Sequence, residues 1–344
     1  MRAVKLLAGA VALALASGCA EPHDPLDDSV VEPAGRDEEQ DRNSIDNAVI
    51  SSVNTRNFAR LNEMMAHYRA VQARTRSGLW KSGIVHGTLE WMLFRDMDFA
   101  SHCVSRDEAF VRDWLAFSPD EPTALIVQAR MLSDRAWCLR GGRFAGNTAA
   151  HRLELFREHL LIALEALDDA QDRASVDPEY YALRATVYLG LNAEQGLMVA
   201  LFDEAAAREP YYLGTYFNGA IRYLPKWGGN AAMTEAFARY AVTKTEVSDG
   251  AGFYYRIHWF LSDCDCGADL SRWDRELLKQ AMRDVYARYP DPFNARRIMD
   301  DNCRMGDIDE AKTYMKALAP PGSGDTALTA MIDTCRMLGT DRSS

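Results

Sequence analysis

The chain has 344 residues, 48% of them hydrophobic and 26% charged, with 22 Gly and 12 Pro. This is ordinary globular composition and excludes a collagen-like, low-complexity or wholly disordered chain. A formal net charge of −11 gives no electrostatic footprint for nucleic acid. No apolar run reaches the ~18–20 residues of a membrane-spanning helix.

The first twenty residues, MRAVKLLAGAVALALASGCA, carry an address. Arg2 and Lys5 make a short positive start, and Leu6 to Ala16 is an apolar stretch of secretory-signal length. Ala16-Ser17-Gly18-Cys19 then resembles the lipobox of bacterial lipoproteins. That resemblance implies a signal peptide over 1–18, cleavage before Cys19 and lipidation of Cys19. Three acyl chains exceed the two signals that stable anchoring requires. The commoner residue three before the cysteine is Leu, and Ala16 departs from it. The competing reading is an ordinary cleaved signal with an incidental cysteine. In such lipoproteins Ala20, in place of Asp, favours the outer membrane, facing the periplasm.

Residues 20–47 hold ten acids and two arginines, with three prolines. With the lipidated Cys19 they read as a disordered acidic tether over 19–47, with a reach of about 30 Å. The body, 48–320, carries a helical apolar period. Leu153, Phe156, Leu160, Ala163, Leu164 and Leu167 form one stripe; Leu278, Met282, Val285 and Tyr289 form another. Ser105 with Glu108 has capping-box spacing, and Asp177-Pro178, Asp291-Pro292 and Asp307 mark further helix starts. Breakers fall at Ser118-Pro119-Asp120, Gly141-Gly142, Pro225 to Gly229, Tyr289-Pro290 and Pro320-Pro321-Gly322. About a dozen helices with short turns predict an all-α fold of stacked antiparallel hairpins, a tetratricopeptide-like α-solenoid. A C-terminal capping helix and tail follow over 321–344. A globular helical bundle is the competing fold.

The repeat signal is degenerate. Gly306 to Leu318 matches the second half of a tetratricopeptide unit, with Ala311 as the small contact and Tyr314 or Met315 in the aromatic slot. Phe202, Ala205 and Pro210 fall at the same offsets, while the first-helix Trp-Leu-Gly-Tyr pattern is mostly missing. Four stretches add a resemblance to a bacterial family of uncharacterised proteins with tetratricopeptide-like helices, a domain of unknown function. They start at Asp113, Leu201, Tyr254 and Tyr286, and the Pro-Lys-Trp-Gly-Gly turn and Tyr-x-Arg-Ile-x-Trp helix are the most specific parts. The resemblance implies a helical-hairpin fold and brings no activity, cofactor or catalytic residue.

Cys19 apart, six cysteines remain, an even number suited to disulfides in an oxidising compartment. Stacking predicts Cys103–Cys138, and pairs Cys303 with Cys264 or Cys266, with Cys335 as an alternative. Cys264-Asp265-Cys266 with His258 also admits a metal or redox reading, although the one-residue spacing is atypical for either. The familiar helical zinc-hydrolase pair, nucleophile elbow and phosphate-loop motifs are absent. Aromatics crowd two hairpins. Most belong between helices. Tyr216, Tyr223, Trp227, Tyr254 and Trp259, with Arg256, are the candidates for a partner-binding groove; Arg256 reads equally as a buried arginine stacked on Trp259. The expectation is a non-enzymatic, membrane-anchored scaffold that captures a periplasmic protein or peptide in envelope assembly or maintenance. The alternative is an envelope enzyme or metal/redox protein using Cys264, Cys266 and His258. A third reading is a structural lipoprotein with no dedicated ligand.

Overall fold

A computed structural model describes residues 37–97, 103–105, 107–264, 266–319 and 324–340, with the helical backbone alone for 324–327 and 338–340. The expected signal peptide, Cys19, the first part of the tether and the Pro320-Pro321-Gly322 turn lie outside the described residues. Among those described, none of the helices is long and apolar enough to cross a membrane.

The described residues form fifteen α-helices and no strand. They are α1 Glu38–Thr55, α2 Phe58–Ala70, α3 Lys81–Phe94, α4 Glu108–Phe117, α5 Pro122–Arg140 and α6 Ala150–Ala174. There follow α7 Glu179–Leu191, α8 Gln195–Arg208, α9 Leu213–Ile221, α10 Ala231–Asp249 and α11 Gly252–Asp263. The chain closes with α12 Arg275–Arg288, α13 Pro292–Met305, α14 Ile308–Leu318 and α15 Gly324–Thr340. The fold is all-α.

The apolar stripes bury as their spacing requires. Phe156, Leu160, Ala163 and Leu167 of α6 are buried, as are Leu278, Met282 and Val285 of α12. Ala311, Tyr314 and Met315 are buried on α14, and Phe202 and Ala205 on α8. Asp291 caps α13 through the backbone N–H of Phe293, with Pro292 in the first turn. Ser105 departs from its expected role. It receives the N–H of Asp107 and donates to the Leu93 carbonyl, so it ties the loop to α3, and Asp107 takes the cap position of α4.

Residues 38–47 of the expected disordered tether are helical, because α1 begins at Glu38, well before the expected start of the body at residue 48. Asp37 and Gln40 form a reciprocal capping box, with the Gln40 N–H donating to Asp37 at 2.8 Å. Acids in a first turn favour a helix N-terminus rather than a solvated coil. Glu38 and Asp41 are moreover buried and engaged, Asp41 with Lys81 at 2.9 Å.

Successive helices pack on one another through most of the chain, and alternate helices also touch: α1 on α3, α3 on α5, α5 on α7, α7 on α9, α9 on α11 and α13 on α15. One continuous core runs from α5 to α14, and a second joins α1 to α5. Cys303, Ala311, Met315 and Cys335 seal the C-terminal end.

Candidate functional site

Of the six expected groove residues, Tyr216 and Tyr254 are internal packing, and Tyr223 and Trp227 are half-buried against the core. Tyr216 is buried with its ring 5.1 Å from Phe253. Tyr254 is fully buried; its hydroxyl donates to Glu235 and receives the Asp274 N–H, both at 2.8 Å. Tyr223 lies against Phe237, and Trp227 meets Trp137 edge-on. Aromatic rings at helical spacing fill the spaces between helices, and spacing alone does not separate those spaces from an inner groove.

Arg256 and Trp259, by contrast, do meet at one site, and the chain itself fills most of it. The α2–α3 connection, residues 71–80, crosses to α7, α9, α11 and α13. Trp80 donates from Nε1 to the Tyr211 carbonyl at 2.7 Å and packs edge-on against Tyr212. Arg74 covers the Trp80 ring and donates to the Tyr289 hydroxyl. Arg76 pairs with Asp291 at 3.1 Å. Gly78 has φ +91°, and a Cβ there would sit 2.7 Å from the Tyr289 ring, so both conformation and space call for glycine. Glu38 holds the segment from α1: it receives the Ser77 N–H at 2.8 Å, the Ser77 hydroxyl at 2.7 Å and the Thr75 hydroxyl at 3.0 Å.

Arg256 lies beneath this segment, 4% exposed. Its guanidinium donates to the Ser77 carbonyl and to Asn294 Oδ1. Asn294 Nδ2 in turn donates to the carbonyls of Ser77 and Tyr289. Burial holds the Arg256 pKa below the usual arginine range. The guanidinium also lies 5.7 Å from the centre of the Trp259 ring, so the arginine is both buried and stacked.

Beside Arg256 a cavity of about 340 Å³ remains open. Phe217 and Phe260 stack at 4.5 Å on one side; Trp259 and Phe293 lie 5.7 Å apart on another. Leu79 of the self-docked segment and Arg42 of α1 complete the lining, with Asp263 and Cys264 at the edge. Arg42 covers the Phe293 ring and pairs with Glu38 at 2.7 Å. Asp263 receives Trp259 Nε1 at 2.7 Å and is gripped by Arg297 at 2.8 Å. The arrangement can hold a flat apolar group next to a buried positive charge.

Sequence reasoning missed a second polar cluster, at the seam of α2, α3, α5 and α7. Asp177 is fully buried and accepts from Arg69 at 3.1 Å and meets His86 at 3.3 Å. Burial opposes its ionisation, but His86 and Arg69 hold its carboxyl below the usual range. Burial likewise works against His86 protonation, and Asp177 outweighs it, raising the imidazole. Glu179 joins Arg130 and the Tyr212 hydroxyl, each at 2.7 Å. Asp177 was legible only as a helix start; its partners are 91 and 108 residues away along the chain.

The cysteines pair in part as expected. Cys103 and Cys138 are bonded, with Cα atoms 5.7 Å apart. Cys303 pairs with Cys335, the alternative partner, at 4.8 Å, because α15 folds back on α13 and α14. Cys264 and Cys266 pair with each other at 5.1 Å, so neither reaches Cys303. His258 packs edge-on against Trp273, and among the described residues no three His, Cys, Asp or Glu side chains group as a metal site. Compared with known proteins, the chain matches no family model, no curated protein and no solved structure.

Proposed function

We propose that this protein is a lipid-anchored, periplasm-facing scaffold of tetratricopeptide-like helical hairpins, which captures a protein or peptide segment in the cell envelope. The observation that carries the scaffold reading is the serial contact of alternate helices, together with contact between successive ones. A stack of hairpins produces that pattern, since each hairpin buries its stripe only against its neighbours. The anchor rests on the sequence: the charged start, the apolar stretch and Ala16-Ser17-Gly18-Cys19. Residues 71–80 dock against Arg256 and Asn294, so this reading takes the cavity mouth as the partner-facing part, where Phe293 is 36% exposed beside Trp259.

Two measurements test the two halves. Radiolabelled palmitate supplied to producing cells is expected to mark the protein, and Cys19→Ala is expected to abolish the label. A photo-crosslinking residue in place of Phe293 is expected to give a discrete adduct in the envelope, reduced by Trp259→Ala. An unlabelled product rejects the anchor; absence of a Trp259-dependent adduct rejects capture at this mouth.

A further inference from the structure

The wall chemistry of the cavity is uneven. Four aromatic rings, Phe217, Trp259, Phe260 and Phe293, line it together with Leu79. Each charged group but one is already balanced: Arg42 by Glu38, and Asp263 by Arg297 and the Trp259 N–H. Arg256 is the exception. It is 4% exposed, and both of its hydrogen bonds end on neutral acceptors, the Ser77 carbonyl and Asn294 Oδ1. Among the described residues no carboxylate stands within ion-pair distance of it; the buried Asp249 and Glu38 act on its charge only from beyond that distance. A neutral oxygen satisfies an N–H but does not cancel a buried unit charge, and an anion beside it does.

We propose that this cavity binds a small aromatic acid, with the flat ring among the four aromatic side chains and the carboxylate directed at Arg256. A volume of about 340 Å³ lies at the lower end of small-molecule sites and suits one or two fused rings. The guanidinium is already fixed by Ser77 and Asn294, so little ordering accompanies binding. The inference rests on the reading of the Trp259 mouth as open to a partner, but not on capture of a protein there.

The test uses the folded chain with two probes of equal shape, 2-naphthoate and its neutral counterpart 2-naphthamide, followed by calorimetry. One naphthoate per chain is expected, bound at least tenfold more tightly than the amide. Arg256→Gln is expected to erase that preference while leaving weak binding of both. Phe293→Ala, which removes one ring at the exposed rim and leaves Arg256 in place, is expected to weaken acid and amide alike, about fivefold. If Arg256→Gln fails to fold, the acid-to-amide ratio of the unaltered chain and of Arg256→Lys decides. Equal binding of acid and amide overturns the assignment of charge recognition while leaving an apolar cavity. Binding of neither overturns the small-acid site altogether, and the Phe293 crosslink then judges protein capture separately. A tenfold preference retained in Arg256→Gln overturns the role given to Arg256.

Discussion

Asp134 sits with Glu90 along the cavity between α3 and α5. Burial pushes its carboxyl up to about 7, with Arg130 opposing and Glu90 reinforcing the rise. The folded chain therefore keeps a proton that the unfolded chain releases near pH 4, and stability falls as pH climbs through the interval from about 4 to 7. Asp134→Asn removes that cost. It is expected to flatten the pH dependence and to raise stability at pH 8 by up to about 4 kcal/mol, since the shift spans about three units and each is worth ~1.4 kcal/mol. Urea unfolding of both proteins at pH 5 and pH 8 measures this; an equal difference at the two values rejects it. His86, raised by Asp177, loses its own contribution as pH rises through its pKa. The variant is therefore compared with the unaltered chain at each pH. At this scale the sequence was legible where chemistry was local. Trp259 and Arg256 fall within one helical turn, and their proximity followed from spacing. Asp134, Asp177 and Glu179 are ordinary acids until distant segments surround them, and no spacing announces that.

Helix identity was the most legible level. The α6, α12 and α14 stripes bury on schedule, because one face of each must leave water. Boundaries followed local chemistry where the cap was unambiguous, as at Asp291-Pro292, and failed where a cap residue had a stronger partner, as at Ser105. Cysteine partners needed more than the expected stacking. Cys264 and Cys303 lie at comparable helix ends, but Cys266 satisfies Cys264 locally and α15 delivers Cys335 to Cys303. Non-reducing peptide mapping is expected to return Cys103–Cys138, Cys264–Cys266 and Cys303–Cys335. Cys335→Ser opens a loop with a sequence separation of 32 and is expected to lower stability by about 3–4 kcal/mol in the chain-entropy account. A peptide linking Cys303 to Cys264 or Cys266 overturns this connectivity.

For the molecule as a whole, acidity at the N-terminal end misled because net charge was read as solvation. Glu38 instead receives three hydrogen bonds from residues 75–77 and an ion pair from Arg42, and it fastens α1 to the segment that crosses to α13. A chain beginning at Asp37 is expected to unfold in urea with the midpoint of the longer protein. One beginning at Ala48 loses Glu38, Asp41 and the fully buried Ile45, and is expected to be less stable by more than about 3 kcal/mol. Matching midpoints for the two truncations reject a structural role for the first part of α1. The closure of early chain upon late chain also dictates an order of assembly. Ser77 is joined by Asn294, which follows it by 217 positions. During synthesis, residues 71–80 emerge long before their docking place exists. Early helices can coil as they appear, yet the ring of contacts shuts only when α13 arrives, which makes the last third of the chain the keystone of the first.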